Sequence, residues 1–338
     1  MTLSDWIQDV KEYYRQQPIH TATLYSARDL RAGMARRGAF SPIPGYNRAQ
    51  KRLYKNRCVD VTERDWDNLI ILDACRYDYF KKENPFDNSS EKIISHGSES
   101  WEYMEHNFDS KELHDTVYVT ANPWMVKLSD DIFHHIEPLL ENWDAETGTI
   151  LPKTVADAAI KINREYPNKR LIVHFMQPHV PWLGQTANEI RKNVNIRGMN
   201  PHHGYNKIAN KNIDERDGIN TFDAVKEGLI SHKDMKQAYT ETLRTALSII
   251  EDLISDLNGK SVITSDHGEH LGEKAFPFSL RRYGHRQNIW SPELRCVPWL
   301  ETETTERRTI SSDPPTSGST YDISDDVINK RLQALGYR

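Results

Sequence analysis

An aspartate and a histidine that could bind a metal stand next to each other at the end of an apolar run. The run comprises residues 262–265, and it is followed by Asp266, His267 and Gly268. Carboxylates and imidazoles are both common metal ligands, and two adjacent side chains can reach one ion where the chain turns. The same pattern is typical of a buried strand followed by an ordinary polar turn. Partners elsewhere in the chain must therefore decide between a metal site and a turn.

Two other apolar runs end in residues of the same chemical types. Residues 69–72 lead to Asp73, and residues 171–176 lead to His179, which has a proline on each side that restricts its backbone. Buried parallel strands deliver their last side chains to one edge of a sheet, where α/β proteins place their sites. We therefore expect four side chains to lie close together: Asp73, His179, Asp266 and His267.

Two serines in one turn are candidate nucleophiles. Ser98 and Ser100 follow the strand-like run 93–95 and a glycine. Serine before an acidic residue is typical of a helix cap, and the local sequence favours that role. Helix N-termini also bind anions, so either serine could instead hold an anion or act as a nucleophile. A metal beside the serine oxygen would lower the pKa of the hydroxyl and hold the oxygens of a phosphate or sulfate ester.

Loop residues add a histidine and fixed positive charges to this set. His285 lies on a loop after the Asp-His strand. Arginines stabilise tetrahedral oxyanions, and we assign substrate binding to Arg76 and Arg286, with Arg282 as a further candidate. Carboxylate and imidazole ligands together favour Zn or Mn as the divalent metal, whereas Mg or Ca would take fewer nitrogen ligands.

Length, charge and cysteine content restrict the class of protein. The chain has 338 residues with a net charge of −5 and a pI of about 6.3, so its electrostatics do not favour nucleic acid. No apolar run approaches the roughly 20 residues of a transmembrane segment, and residues 1–7 lack a secretory signal. Three widely spaced cysteines favour a reducing compartment. We expect a cytoplasmic protein.

The alternation of apolar runs and helical patterns predicts the organisation of the chain. An amphipathic helix over 233–257 leads through a glycine into the strand before Asp266. This alternation of helix and strand is typical of α/β proteins. We predict a helical preface over 1–60, an α/β catalytic domain over 61–300 and a linker with a packed helix over 301–338. Within the catalytic domain, an insertion or lid is expected at about 184–230. The basic preface favours a solvated face over a lipid-headgroup contact, which leaves peripheral membrane contact as an alternative.

Three local patterns make further predictions. Pro42, Pro44 and Gly45 predict a loop that ends the preface. Residues 281–286 are expected to form a loop, and residues 296–300 a late edge strand.

The ordered pieces of this sequence resemble the alkaline phosphatase superfamily, and most closely its sulfatase-like branch. The resemblance rests on Leu69-Ile70-Ile71-Leu72-Asp73 with Arg76 and Asp78, on Pro178-His179-Val180-Pro181, on Ile263-Thr264-Ser265-Asp266-His267-Gly268-Glu269 with Leu271-Gly272-Glu273, and on Gly284-His285 before Val297-Pro298. It implies a doubly wound, mostly parallel sheet sandwiched by helices, with a metal held by Asp73, Asp266 and His267.

The same resemblance implies roles for the remaining residues. His179 and His285 would contact the ester oxyanion or a second metal. The nucleophile of the family follows the first strand in a Gly-Ser-rich turn before a helix, and Ser100 matches that place best, with Ser98 as the reserve.

Departures from the family pattern narrow the expected activity. Calcium-dependent sulfatases carry a second aspartate and an asparagine where this chain has Ala74 and His267, and Cys75 does not stand in the motif that matures to formylglycine. These differences favour the phosphodiesterase and phosphoglycerol-transferase relatives, which keep an unmodified serine or threonine. The expected function is a metal-dependent hydrolase of sulfate or phosphate esters, with a small-molecule or glycan ester as its substrate. The alternatives are a transferase that moves a phosphoglycerol or similar headgroup onto a glycan, and an inactive scaffold that retains the fold.

Overall fold

The computed structural model describes residues 43–86, 89–196, 218–274, 281–302, 306–316 and 325–334. Its strands are β1 (Asn68–Asp73), β2 (Glu91–Ile94), β3 (Leu113–Thr120), β4 (Phe133–Pro138), β5 (Arg170–Pro178), β6 (Ser261–Ser265), β7 (His270–Lys274), β8 (Arg281–Gly284) and β9 (Cys296–Glu301). Its α-helices are α1 (Ile43–Tyr54), α2 (Tyr77–Glu83), α3 (Ser100–Asn107), α4 (Pro152–Glu165), α5 (Gln185–Asn193), α6 (Thr221–Lys226), α7 (His232–Asp256), α8 (Pro292–Arg295) and α9 (Asp325–Ala334).

A central sheet runs through the described part of the chain in the order β2-β9-β6-β1-β5-β3-β4. The pairs β1–β5, β1–β6, β3–β5 and β3–β4 are parallel, and β9 pairs antiparallel with β2 and β6. The three strands that the sequence places before its candidate ligands, β6, β1 and β5, are therefore neighbours. This arrangement confirms the predicted α/β class, with a mostly parallel sheet between helices.

The strand β1 explains why its sequence is a continuous apolar run. All six of its residues are buried. Because successive side chains of a strand point to opposite faces, Ile70 and Leu72 join the apolar core under α4 and α7, whereas Leu69 and Ile71 join the core on the α3 side. A strand covered on both faces has to be apolar at every position, as is usual in parallel sheets.

Helix α7 is the long amphipathic helix that the sequence predicts before β6. Ser231 caps its first turn by accepting a hydrogen bond from the backbone N–H of Asp234 at 3.0 Å. Its apolar stripe packs on the sheet through residues such as Leu243, Leu247 and Ile250. The helix ends at Asp256, and the chain turns at Gly259 before it enters β6. The φ of Gly259 is +87°, a conformation that favours glycine. The helix therefore feeds the Asp-His strand directly into the centre of the sheet.

Three local predictions are wrong. Pro44 and Gly45 lie in the first turn of α1, where the missing N–H of proline is not needed, so they do not form a loop. Residues 281–284 are not a loop but form β8, which pairs with β7 as an antiparallel hairpin. The strand 296–300 exists as β9, but it lies between β2 and β6 and is not at the edge.

The outer segments of the chain are described in part. Residues 1–42 of the predicted preface and residues 197–217 of the predicted lid lie outside the described residues. The segment 306–316 runs along the amino ends of the strands, where Arg307 binds Asp67 at 2.6 Å and Asp313 binds Lys169 at 2.6 Å. Among the described residues, no helix has the length and apolar character to span a membrane.

Candidate active site

The carboxyl ends of β1 and β6 bring together the three residues that the sequence predicts as metal ligands. Asp73 is the last residue of β1, and Asp266 and His267 directly follow β6. All three side chains are fully buried, and one ligand atom from each lies within 4.8 Å of the others. The strands deliver them to one place because β1 and β6 are adjacent and parallel, with Leu72 opposite Ser265.

The hydrogen bonds of the two carboxylates leave one oxygen of each facing His267. Asp266 accepts backbone N–H groups from Ala74 at 3.1 Å and from His267 at 2.7 Å, both on Oδ1. Asp73 accepts the side-chain amide of Asn122 on Oδ2 at 2.9 Å. In the described parts of the chain, Oδ1 of Asp73 and Oδ2 of Asp266 are buried with no hydrogen-bond partner. They lie 3.6 Å and 3.5 Å from Nε2 of His267.

These unpartnered oxygens fit a divalent cation. Two adjacent buried carboxylates cannot both hold a negative charge at low cost unless a cation lies between them. Burial, with Asp266 next to it, raises the pKa of Asp73 well above its usual range. Burial also opposes ionisation of Asp266, but the imidazoles of His267 and His174 hold the pKa of that carboxyl below its usual range.

The ring of His267 is also oriented to bind a metal. Its Nδ1 donates to the backbone carbonyl of Gly268 at 2.8 Å, which leaves the lone pair of Nε2 facing the carboxylates. Burial lowers the pKa of His267, so the ring is neutral and able to bind a metal. The backbone there is also fixed, because Gly268 donates to the carbonyl of Leu294 at 2.7 Å.

The two candidate serines occupy different environments. Oγ of Ser100 lies 3.3 Å from Nε2 of His267 and 3.4 Å from Oδ2 of Asp73. Ser98 instead donates to Glu102 at 2.6 Å, in a buried network that includes the Glu102–Arg295 ion pair. Neither serine caps α3, because the side chain of Glu99 accepts from the N–H of Glu102 in that role. Ser100 is the first residue of α3, where the helix N-terminus favours negative charge.

A second group of potential ligands adjoins the first. His179 follows β5, Glu269 follows the Asp-His pair, and His285 follows β8, and one ligand atom from each lies within 4.8 Å of the others. The ring centroid of His285 lies 4.4 Å from that of His267 and 5.0 Å from that of His179. His285 therefore stands between the two groups.

Burial sets the charge of the second group. It lowers the pKa of His179 to about 3 and that of His285 to about 4, so both imidazoles are neutral at pH 7. It raises the pKa of Glu269 to about 7. Two neutral imidazoles and a carboxylate suit a transition metal or zinc. They also suit hydrogen bonding to an ester oxygen, which keeps open the two roles that the sequence resemblance implies for His179 and His285.

The two arginines assigned to the substrate lie in different settings. Arg76 is buried, and its guanidinium forms ion pairs with Asp78 at 2.8 Å and with Glu273. Its charge is thus already balanced by carboxylates. Arg286 is exposed and directly follows His285, next to the second group.

Three residues that contact this site have no role predicted from the sequence. Glu269 lies two positions after His267, and Asn122 lies two positions after the end of β3, so both carried the signal of a polar residue near a strand end. His174 lies inside β5, with Nε2 at 3.5 Å from Oδ2 of Asp266. Its signal was a polar residue in the middle of the apolar run 171–176.

Comparison with known proteins identifies remote structural similarity. No protein-family model and no curated protein sequence matches the chain. Among solved structures, lipooligosaccharide phosphoethanolamine transferase A from Neisseria meningitidis matches with a TM-score of 0.42 and 12% identity over 83% of this chain. The chain spans 59% of the length of that protein.

Two other matches come from related kinds of enzyme. The periplasmic domain of EptC from Escherichia coli, solved as a complex with Zn, matches with a TM-score of 0.40 and 14% identity over 73% of this chain and 75% of its own. A 2-O GAG sulfatase matches with a TM-score of 0.38 and 13% identity over 74% of this chain and 65% of its own. Phosphoethanolamine transferases and sulfatases are members of the alkaline phosphatase superfamily, which the sequence resembles. Because these similarities are remote, the chemistry of the site follows from this chain's own residues.

Proposed function

We propose that this chain is a metal-dependent enzyme that cleaves phosphate or sulfate esters, with Ser100 as its nucleophile. The observation that carries the proposal is the position of the Ser100 hydroxyl. It lies 3.3 Å from Nε2 of His267 and 3.4 Å from Asp73, inside a buried group of metal-ligand atoms. A serine that only capped a helix would have no reason to face a carboxylate and an imidazole.

The first step forms a bond between Oγ of Ser100 and the phosphorus or sulfur atom of the ester. The bond to the leaving oxygen breaks, the leaving alcohol takes up a proton, and the proton of the serine hydroxyl passes to solvent. Water then attacks the seryl ester, which releases phosphate or sulfate and restores Ser100. In the hydrolase, each turnover thus consumes one water molecule and releases one alcohol.

Asp73, Asp266 and His267 would hold the metal, since their unpartnered atoms converge. When bound, the cation lowers the pKa of the serine hydroxyl and neutralises charge on the ester oxygens. Asn122 keeps Asp73 in place through its hydrogen bond at 2.9 Å. His179 and His285 lie beyond His267, where their ring nitrogens can hold either a second metal, together with Glu269, or the non-bridging oxygens of the ester. Arg286 adds positive charge at the exposed side.

A reconstitution assay tests this proposal. The purified chain is stripped with a chelator, supplied with Zn or Mn, and tested on aryl phosphate, aryl phosphodiester and aryl sulfate substrates. We expect metal-dependent turnover of at least one class and its loss in Asp266→Ala. Mass spectrometry of quenched reactions should find a phosphoryl or sulfuryl group on the peptide that contains Ser100. Turnover that persisted in both Asp266→Ala and Ser100→Ala would refute the proposal.

The fate of the covalent intermediate distinguishes hydrolysis from transfer to an acceptor. Supplying candidate acceptor sugars during turnover divides the products between free phosphate or sulfate and a modified sugar. A product ratio that did not change with acceptor concentration supports the hydrolase. If the amount of modified sugar increased with acceptor concentration, the protein would be assigned as a transferase instead of a hydrolase.

A further inference from the structure

A chain of buried polar side chains runs from Tyr118 through His174 to the candidate metal ligand Asp266. His174, in β5, is fully buried, and its Nε2 lies 3.5 Å from Oδ2 of Asp266. Among the described residues, neither of these two atoms has a hydrogen-bond partner within normal bonding geometry. Its other ring nitrogen, Nδ1, lies 2.9 Å from the hydroxyl of Tyr118, in the adjacent strand β3. A histidine in the middle of an apolar strand is costly to bury unless both ring nitrogens have a purpose.

The direction of these hydrogen bonds is set from the Asp266 end of the chain. An ionised carboxylate can only accept, so the ring hydrogen of His174 lies on Nε2, which points at Asp266. A histidine that carries its hydrogen on Nε2 accepts on Nδ1, and the phenol of Tyr118 therefore donates there.

The turn after β3 orients the second carboxylate. Asn122, in this turn, donates from its side-chain amide to Oδ2 of Asp73 at 2.9 Å. Strand β3, through Tyr118, and the turn that follows it therefore contribute a contact toward each carboxylate of the site. Outer contacts of this kind fix the orientation of metal-binding carboxylates and influence metal affinity.

We propose that Tyr118 and His174 are positioning residues, which hold Asp266 in the orientation that binds the metal through the chain Tyr118–His174–Asp266. This inference rests on the proposed metal-dependent function, because it concerns the ligands of that metal. It assigns neither residue to the reaction itself. Their effect is on how tightly, and with what geometry, the site binds its cation.

Metal titration of four variants tests whether Tyr118 and His174 position Asp266. Zn and Co(II) affinities are measured by competition with a chromophoric chelator, and the Co(II) absorption spectrum is recorded as a direct report on ligand geometry. Tyr118→Phe and His174→Leu are expected to bind metal about 10- to 100-fold more weakly and to alter the Co(II) spectrum. His174→Gln should recover most of the lost affinity, because the glutamine amide can still donate toward Asp266.

A tyrosine in the same core provides the matched control. Tyr103 is buried in the apolar cluster that also contains Tyr118, and in the described residues its hydroxyl has no hydrogen-bond partner. Tyr103→Phe should keep the wild-type affinity and spectrum. Thermal unfolding of the metal-free variants separates a loss of fold from a loss of affinity, and Tyr118→Phe, which removes one oxygen, remains informative if His174→Leu does not fold.

The outcomes separate this inference from the proposed function. Wild-type metal binding that is unchanged in both Tyr118→Phe and His174→Leu would overturn the inference and leave the proposed function standing. An equal loss in Tyr103→Phe would also overturn it, because the effect would then come from the core and not from the chain. A wild-type chain that bound none of these metals would overturn the proposed function, and this inference with it.

Discussion

Oγ of Ser100 lies 3.3 Å from Nε2 of His267, although 167 positions separate the two residues in the sequence. Ser98, only two positions earlier, is bonded to Glu102 and to the backbone carbonyl of Arg286. One turn thus carries a serine that faces the potential metal ligands and a serine that belongs to a buried ion-pair network. The difference between them provides a direct test of which one is the nucleophile.

Substituting each serine by alanine should have opposite consequences. Ser100→Ala should abolish ester cleavage and retain metal binding, because the nucleophile is lost and the three ligands are kept. Ser98→Ala should retain cleavage but lower the free energy of unfolding by about 1–3 kcal/mol, because Glu102 loses a buried hydrogen bond. Steady-state kinetics and denaturant unfolding measure the two effects. Loss of cleavage in Ser98→Ala alone, with its fold intact, would exchange the two roles.

Removing one buried carboxylate should stabilise the metal-free protein, although the same substitution removes a ligand of the candidate metal site. The raised pKa of Asp73 means that the folded chain holds this proton more tightly than the unfolded chain does. Metal-free stability therefore falls as the pH rises above the ordinary pKa of aspartate. Asp73→Asn has no such proton, so at pH 7 without metal we expect it to be more stable than wild type by at least about 1 kcal/mol.

Thermal unfolding with and without metal measures both the stability of the metal-free protein and the stabilisation that metal binding adds. Added Zn should raise the melting temperature of wild type by more than that of Asp73→Asn, which keeps only the second group of potential ligands. A variant that was less stable than wild type in the absence of metal would show that the carboxylate pair does not destabilise the apo fold.

Strand-end residues were predictable from the sequence because they follow a simple rule. Asp73 and Asp266 each end an apolar run, and the same sheet edge receives both because their strands are parallel neighbours. What the sequence did not reveal is lateral order. The position of β9 between β2 and β6 depends on pairings between residues far apart in the chain, so an apolar strand near the end of the domain looked like an edge.

Two other features were missed for local reasons. The hairpin of β7 and β8 has charged residues such as Glu273, Arg281 and Arg282, whose composition is that of a loop. His174 was hidden because its neighbours in β5 are apolar, and only the adjacent strand β3 supplies its partner. Both depend on which strand lies next to which.

The two arginines assigned to the substrate should respond differently to substitution. Arg286→Ala should raise the KM for an anionic ester about tenfold with little change in stability, because the side chain is exposed beside His285. Arg76→Ala should mainly destabilise the fold, since it leaves Glu273 and the carbonyl of Glu269 without their guanidinium partner. Kinetics combined with unfolding midpoints compare the two. A higher KM in Arg76→Ala at unchanged stability would assign the buried arginine to the substrate instead.

Metal stoichiometry should decide the role of the second group. Glu269→Gln keeps the shape of the side chain but removes its charge, so a metal held by His179, Glu269 and His285 should be lost. We expect wild type to bind two equivalents of Zn and Glu269→Gln to bind one, measured by elemental analysis after dialysis. Glu301→Gln, a change of the same kind at a residue on β9 whose carboxylate pairs with Lys260, is the control. One equivalent in wild type would assign the second group to the ester oxygens.

Gly268 should tolerate no side chain, and a comparison with Gly45 tests why. A Cβ at Gly268 would lie 2.1 Å from the backbone oxygen of Glu293, which cannot rotate away as a side chain could. Either the turn after His267 or helix α8 would have to move. We therefore expect Gly268→Ala to lower the free energy of unfolding by about 2 kcal/mol or more and to weaken metal binding, because the clash acts on the backbone that orients His267.

Gly45 supplies the matched control because nothing lies within 4 Å of a Cβ built there, and it is exposed in α1. Gly45→Ala should leave metal affinity unchanged and stabilise the protein by up to about 1 kcal/mol, since alanine favours a helix over glycine. Denaturant unfolding and Zn competition are measured for both variants. Equal stability and equal affinity in Gly268→Ala and wild type would mean that the turn can relax without moving His267, and that glycine at this position is not needed to orient the ligand.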